Sequence, residues 1–366
     1  MRKREFLNLA GVASLLLVDS LVSASSSFSQ STEQASKVRQ KMKISPVSKH
    51  SSFANLIAPD AMLEQVVTGF GFTEGVTWVN SEKQGYLLFS DIPANVIYRW
   101  TPAGDVSVYL EKSGYQKPDV WRVGMPFTNG KDPSDPGFEQ FNMFGSNGLT
   151  LDNEGRLVIA TWAGRSIVRI EKDGTRTVLA DRYEGKRLGG PNDVVVRKDG
   201  SIYFTDTFGG MLKLSDDKSK EIDANAIYMI RDGKVTQVVS DLPNTNGLAF
   251  SPDEKILYAN GSIDNYIHRY DVKPDGSLSE SKMYIDLRKE KGVGITDGMR
   301  VDVAGNLWTT APGGIWILSP SGEPLGVIPL PEGGSNLVFG DADRKTLYIS
   351  AATSIYKIRT LIAGAR

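Results

Sequence analysis

Six times along the chain a polar residue opens the same phrase: a small or apolar run, a tight turn, then a second apolar strand. The openings are Glu74 (EGVTW), Asn147 (NGLTLD), Asn192 (NDVVV), Asn246 (NGLAFS), Asp297 (DGMRVD) and Asn336 (NLVFG). From position 147 onward they recur 39 to 54 residues apart, which is the length of a four-stranded propeller blade. The second unit shows the pattern: GLTLD, the turn NEG, RLVIAT, then SIVRI, the turn KDG and TRTVLA.

The ends of the repeat array carry matching defects. The sixth unit supplies three strands, NLVFG, TLYIS and SIYKI, whereas an unpaired strand, LEQVVTG, precedes Glu74. Both are resolved if the N-terminal strand completes the last blade, which closes the ring and removes open edges. The expected fold is therefore all-β, a six-bladed β-propeller of four-stranded blades. An immunoglobulin-like sandwich would leave six equal units unexplained.

Ahead of the repeats, residues 1–24 read as an export signal. They have a basic start (Arg2, Lys3, Arg4), an apolar run from Leu9 to Val18 and a small-residue end at Val22-Ser23-Ala24. Lys3-Arg4-Glu5-Phe6-Leu7 is similar to a twin-arginine motif with Lys in the first position. The apolar run is too short to span a bilayer, so the expectation is an exported protein, periplasmic or secreted, without a stable membrane span. Residues 25–60 are Ser-rich and aperiodic and read as a linker. The catalytic domain is expected over 61–366.

Composition narrows the chemistry. The chain has 366 residues and a formal net charge of −1 without a long basic block, which gives no footprint for nucleic acid. It has no cysteine, so disulfides, thiolate metal sites and cysteine nucleophiles are excluded. Of its two histidines, His50 lies in the Ser-rich stretch and His268 inside the strand-like YIHRYDV. A histidine-based triad would have to use His268, which reads instead as a structural or surface residue.

In a propeller the first strand of each blade lines the central channel, so the six openings converge on one mouth. Glu74, Asp297, Asn147, Asn192 and Asn246 then form an all-oxygen set, the kind that hard divalent cations such as Ca²⁺ select. A single Asn or Asp at a strand start commonly caps a turn, but recurrence in phase around a ring points to a shared task. Asn336 lacks the following glycine and reads as structural. Asp91 and Asp206, at equivalent second-strand ends, read as turn-pairing residues rather than groups that orient a substrate hydroxyl. One interval is too long: residues 113–143, rich in Pro, Gly and aromatics, form either a surface excursion or a lid contributing Trp121, Phe127 or Phe141.

The phrases FTEGVTW, GSNGLTLDNEGRLVIAT, GGPNDVVVRKDGSIYFTD, TNGLAFSPDEKILYAN and TDGMRVDVAGNLWTTAPGGIWILSPSGE closely resemble, in order and at spacing, secreted bacterial gluconolactonases of the regucalcin/gluconolactonase-like superfamily. The resemblance runs from about residue 62 to 359. It implies one divalent cation in the channel mouth, with Glu74, Asn192, Asn246 and Asp297 as metal ligands, and Asn147 and Asn192 as substrate-binding residues. Ca²⁺ is the expected ion, with Mg²⁺, Mn²⁺ or Zn²⁺ compatible with a small oxygen site.

The implied reaction is metal-dependent hydrolysis of a sugar lactone, glucono-1,5-lactone to gluconate. Asp297 is the catalytic proton acceptor and Glu74 the alternative base. The pocket wall departs from the family pattern at Val76, at Ala160-Thr161-Trp162 and at Thr207-Phe208. Two rival readings are an arylesterase or phosphotriesterase on the same metal site and a non-catalytic binding propeller. The paraoxonase version of the first needs a histidine pair that this chain cannot build.

Overall fold

The computed structural model describes residues 40–365, apart from 83 and 130. Residues 1–24, the expected export signal, lie outside the described residues.

Six antiparallel sheets follow one another along the chain as blades. Blade 1 comprises Thr73–Val79, Tyr86–Asp91, Val96–Trp100 and Val106–Glu111. Blade 2 runs from Leu149–Leu151 to Arg176–Ala180, blade 3 from Pro191–Val196 to Lys234–Val239, and blade 4 from Thr245–Phe250 to Lys282–Asp286. Blade 5 runs from Met299–Val301 to Pro324–Pro329. Blade 6 combines Gly334–Gly340, Thr346–Ala351 and Ser354–Arg359 with the N-terminal strand Met62–Thr68, which pairs antiparallel with Ser354–Arg359. The expected closure of the ring is present.

A blade buries both faces, so its strands read as near-continuous apolar runs. Each of six hydrophobic clusters fills one gap between neighbouring blades. In blade 1, for example, Leu87 and Phe89 pack toward Tyr348 and Ile355 of blade 6, while Leu88 packs toward Leu149 and Ile159 of blade 2. Successive side chains of one strand thus serve two different gaps.

The expected linker over 25–60 is corrected for its described part. Gln40–Lys43 adds a fifth strand to blade 6, and Val47–Ser48 adds one to blade 5. A short 3₁₀ turn, Ser51–Asn55, is capped by His50 and buries Phe53, while Leu56 and Ile57 enter the core between blades 5 and 6. Edge strands need backbone hydrogen bonds more than apolar periodicity, so a Ser-rich segment with a few apolar anchors can cover two open edges. That requirement is invisible in composition.

Candidate functional site

Strand direction puts all six openings on one face. Inner strands start at this face and second strands return to it, as the pairings Thr73 with Asp91 and Pro191 with Asp206 show. The fourth strand also ends there, so every connection between blades crosses the mouth side.

A belt of hydrogen bonds fixes the openings around the ring. Ser90 Oγ donates to the Asn147 carbonyl (2.9 Å), Thr205 Oγ1 to that of Asn246 (2.8 Å), and Asn260 Nδ2 to that of Asp297. The Gly148 N–H reaches the Asn192 carbonyl (2.7 Å), and Ser335 Oγ closes the circle on Thr73 (2.7 Å). The second strands of blades 1, 3 and 4 thus hold the next blade's opening, and Gly148 and Ser335 at the inner strands of blades 2 and 6 extend the belt, independently of the side chains that face the channel.

The glycine after most openings follows from this closeness. A Cβ on Gly75, itself at φ +54°, would lie 2.0 Å from the Asn147 carbonyl oxygen, and one on Gly247 the same distance from that of Asp297. Gly247→Ala is expected to push the Asp297 backbone out of place and to cost about 3 kcal/mol. Thermal melting and cation titration would show it; an unchanged melting temperature would contradict it.

At the centre, Glu74 and Asp297 hydrogen-bond to each other, Asn246 donates to Asp297, and Asn336 Nδ2 donates to Glu74 Oε2 at 3.1 Å. The Gly75 N–H also donates to that oxygen (2.7 Å). All are buried. Burial pushes the Glu74 carboxyl up to about 7, with the charge of Asp193 adding to it against the two donors. Burial, and then the charges of Glu74 and Asp193, hold Asp297 well above the usual carboxylate range.

Two residues absent from the sequence reading complete the electrostatics. Asp193, directly after Asn192, is buried and accepts the Leu248 N–H (3.2 Å) and Val194 N–H (2.9 Å). Its carboxyl is pushed up by burial and drawn down by Arg300, whose own guanidinium burial disfavours. Asp193 and Glu74 thus act on one guanidinium, with Asp297 bonded to Glu74, so ionisation of all three carboxyls would leave an excess of negative charge that a divalent cation would neutralise. The only sequence signals were an Asn-Asp where other units have Asn-Gly, and an arginine inside the apolar phrase GMRVD.

Asn147 and Asn246 settle whether the residues present fit a cation. The side-chain oxygens Oδ1 of both are buried without a hydrogen-bond partner. Buried acceptors are normally satisfied, and these two orphaned amide oxygens beside paired carboxylates leave acceptors suited to a hard cation and to a ligand hydroxyl. Among the described residues no three His, Cys, Asp or Glu side chains converge with metal-ligand spacing, so the amides are needed to complete the set. Asn192 is buried beside Asp193, and its carbonyl is held by Gly148.

Asn336, read as structural, is a direct partner of Glu74 and orients it. Asp91 and Asp206 clamp backbone: Asp91 accepts Gly71 and Phe72 N–H groups, Asp206 those of Gly189 and Gly190, and burial pushes each carboxyl up to about 6. Neither histidine is at the mouth. His50 caps the 3₁₀ turn, and His268 lies between Tyr266 and Tyr270 with tilted rings on the third strand of blade 4.

The long interval folds onto the mouth side. Its hairpin, Pro126–Thr128 with Gln140–Asn142, packs Phe127 against Phe141 and against Phe72, two residues before Glu74. The Gly124 and Met125 N–H groups bond to Gly210 and Gly209 in blade 3, and Trp162 shares the apolar cluster. Phe127 and Phe141 therefore build a rim wall, while Trp121 is 65% exposed and takes no part in it.

Residues 72–353 match the model of the SMP-30/Gluconolactonase/LRE-like region. The chain belongs to this family. It is 33% identical to a gluconolactonase of Zymomonas mobilis over 349 residues, 91% of this chain and 92% of that protein. Among solved structures, a gluconolactonase from Xanthomonas campestris is 27% identical and superposes with a TM-score of 0.69, covering 88% of this chain and 96% of that one. A calcium-binding regucalcin of Agrobacterium tumefaciens, 17% identical, shares the fold with a TM-score of 0.59 over 82% of this chain and 95% of its own. The family match spans all six openings.

Proposed function

We propose that the protein is a lactonase whose mouth binds one divalent cation, Ca²⁺ by ligand chemistry, and that it opens a sugar lactone such as glucono-1,5-lactone to its hydroxy acid. The observation that carries this reading is the pair of orphaned amide oxygens, Asn147 Oδ1 and Asn246 Oδ1, beside the buried Glu74–Asp297 pair. The gluconolactonase relatives support the substrate class.

Glu74, Asn192, Asn246 and Asp297 would hold the cation. What a bound cation supplies is Lewis-acid stabilisation of the charge that develops on the lactone carbonyl oxygen. Asp297 takes the proton of the attacking water. The acyl C–O ring bond then breaks, and the released alkoxide regains a proton to become the product hydroxyl. Asn336 and Gly75 keep Glu74 in place during this exchange. Asn147 and Asn192 line the mouth as hydrogen-bond partners for substrate hydroxyls, and the aromatic rim of the inserted hairpin narrows access.

Metal-free protein should be inactive on glucono-1,5-lactone and regain turnover with Ca²⁺ ahead of Mg²⁺, Mn²⁺ or Zn²⁺; full activity after chelation would refute the metal role. Parallel assays on an aryl ester and an organophosphate should show the lactone preferred. The absence of both histidines from the mouth speaks against a histidine-dependent esterase. Export directed by residues 1–24 belongs to the same proposal. Fractionation of expressing cells, with N-terminal sequencing of the exported form, checks it, and a cytoplasmic product retaining Met1 would overturn it.

A further inference from the structure

Outside the channel, at the outer strands of the ring, a cavity of about 200 Å³ lies between blades 3 and 4. Its walls come from the last strand of blade 3 with the residues following it (Gln237–Asp241), from Tyr270 on the third strand of blade 4, and from the segment Ser279–Ser281. Tyr270 is only 1% exposed, yet its hydroxyl has no hydrogen-bond partner. Unpaired buried hydroxyls are costly, and a native one calls for a missing partner. The phenol is pushed upward by burial and then by the charge of Asp241, which places its oxygen within electrostatic reach of that carboxylate and keeps it protonated, a donor.

The lining decides what kind of partner fits. It offers two carboxylates, Asp241 and Glu280, with hydroxyls from Ser240 and Ser281, and it contains no Lys, Arg or His. Both carboxylates are exposed, and the neighbouring Lys282 and Arg269 pair with Asp271 instead. An anion would be repelled. A metal ion or an ammonium group could meet the carboxylates but has no acceptor for the Tyr270 O–H. A neutral polyhydroxy compound satisfies both demands, since each hydroxyl can donate to a carboxylate while another accepts from the phenol. The volume corresponds to roughly seven waters at about 30 Å³ each and falls below the ~300 Å³ of larger ligand pockets, which suits a molecule the size of a monosaccharide.

We propose that the cleft between blades 3 and 4 is a second binding site, separate from the mouth, for a neutral polyol of monosaccharide size held by Tyr270, Asp241 and Glu280. It does not depend on the lactonase reading, because no residue of the mouth takes part.

D-glucose, which is not a lactone, serves as the probe and is titrated into the full chain with ligand-observed NMR. Saturable binding in the millimolar range is expected. Tyr270→Phe should weaken it about tenfold, the loss of one good hydrogen bond, and Asp241→Asn and Glu280→Gln should do likewise. Tyr270 Oη makes no bond in the fold, and both acidic residues are exposed, so melting temperatures should stay at the wild-type value. Lactone turnover should also be unaffected in all three. Glu74→Gln, altered at the mouth, should bind glucose as tightly as the wild type. No saturation up to about 100 mM, wild-type affinity in Tyr270→Phe and Asp241→Asn, loss of binding in Glu74→Gln, or displacement of glucose by equimolar methylammonium or CaCl₂ would each overturn the proposal.

Discussion

Asp297→Asn is expected to lower turnover of glucono-1,5-lactone by about 10²–10⁴-fold, the range for loss of a positioned general base. The substitution is close to isosteric, and the backbone at this position is held by other groups. The Asp297 N–H donates to Thr310 Oγ1 (3.0 Å), and its carbonyl accepts from Asn260. A correctly folded variant is therefore expected, so the loss belongs to chemistry rather than to collapse of the mouth. Assays at saturating cation, with calorimetric titration to confirm that the ion is bound, separate proton transfer from metal affinity. Full turnover in a variant that binds cation normally would remove Asp297 as base and pass the role to Glu74.

The second large effect is a loss of stability with rising pH in the metal-free protein. Burial raises Glu74 from 4.5 to about 7, and Asp91 and Asp206 from 3.8 to about 6. Between those limits the folded chain binds more protons than the unfolded chain, so stability falls as pH increases. The contribution is complete below about pH 4 and is lost as pH passes 6 to 7. A shift of two or more units corresponds to about 3 kcal/mol for each group.

Melting in the presence of a chelator should consequently be lower at pH 8 than at pH 5. Added Ca²⁺ should raise the melting temperature strongly at pH 8 and little at pH 5, because cation and proton compete for the same carboxylates. Glu74→Gln should flatten the profile by removing one of these components. A chelated protein that became more stable between pH 5 and pH 8 would contradict the assignment of these carboxyls as buried and proton-binding.

The blade count was legible because a propeller repeats one local solution: each blade must bury both faces, and each opening must sit at the start of an inner strand. Asn147, Asn192, Asn246, Asp297 and Asn336 could be found by phase, and Glu74 by the phrase that it opens. Their inequality could not. Asn336 looked structural because it lacks a following glycine, yet its amide orients Glu74. Asp193 and Arg300 fall outside the repeated opening position, yet they act on the charge beneath the mouth. The segment from 40 to 60 looked like linker because two short edge strands and three buried side chains leave almost no periodic trace.

By itself, then, the sequence determined the six-fold architecture, the closing strand and the membership of the mouth, since these follow from periodicity and from the type of residue at each period. Only the tertiary structure decided which carboxylate shares a bond with which, which amide oxygens are left without partners, and that Phe127 and Phe141 rather than Trp121 form the rim. Those outcomes depend on contacts between residues up to 262 positions apart, such as Asn336 with Glu74, and on burial from water, which alters the protonation of a carboxylate and is a property of the closed ring rather than of any one blade.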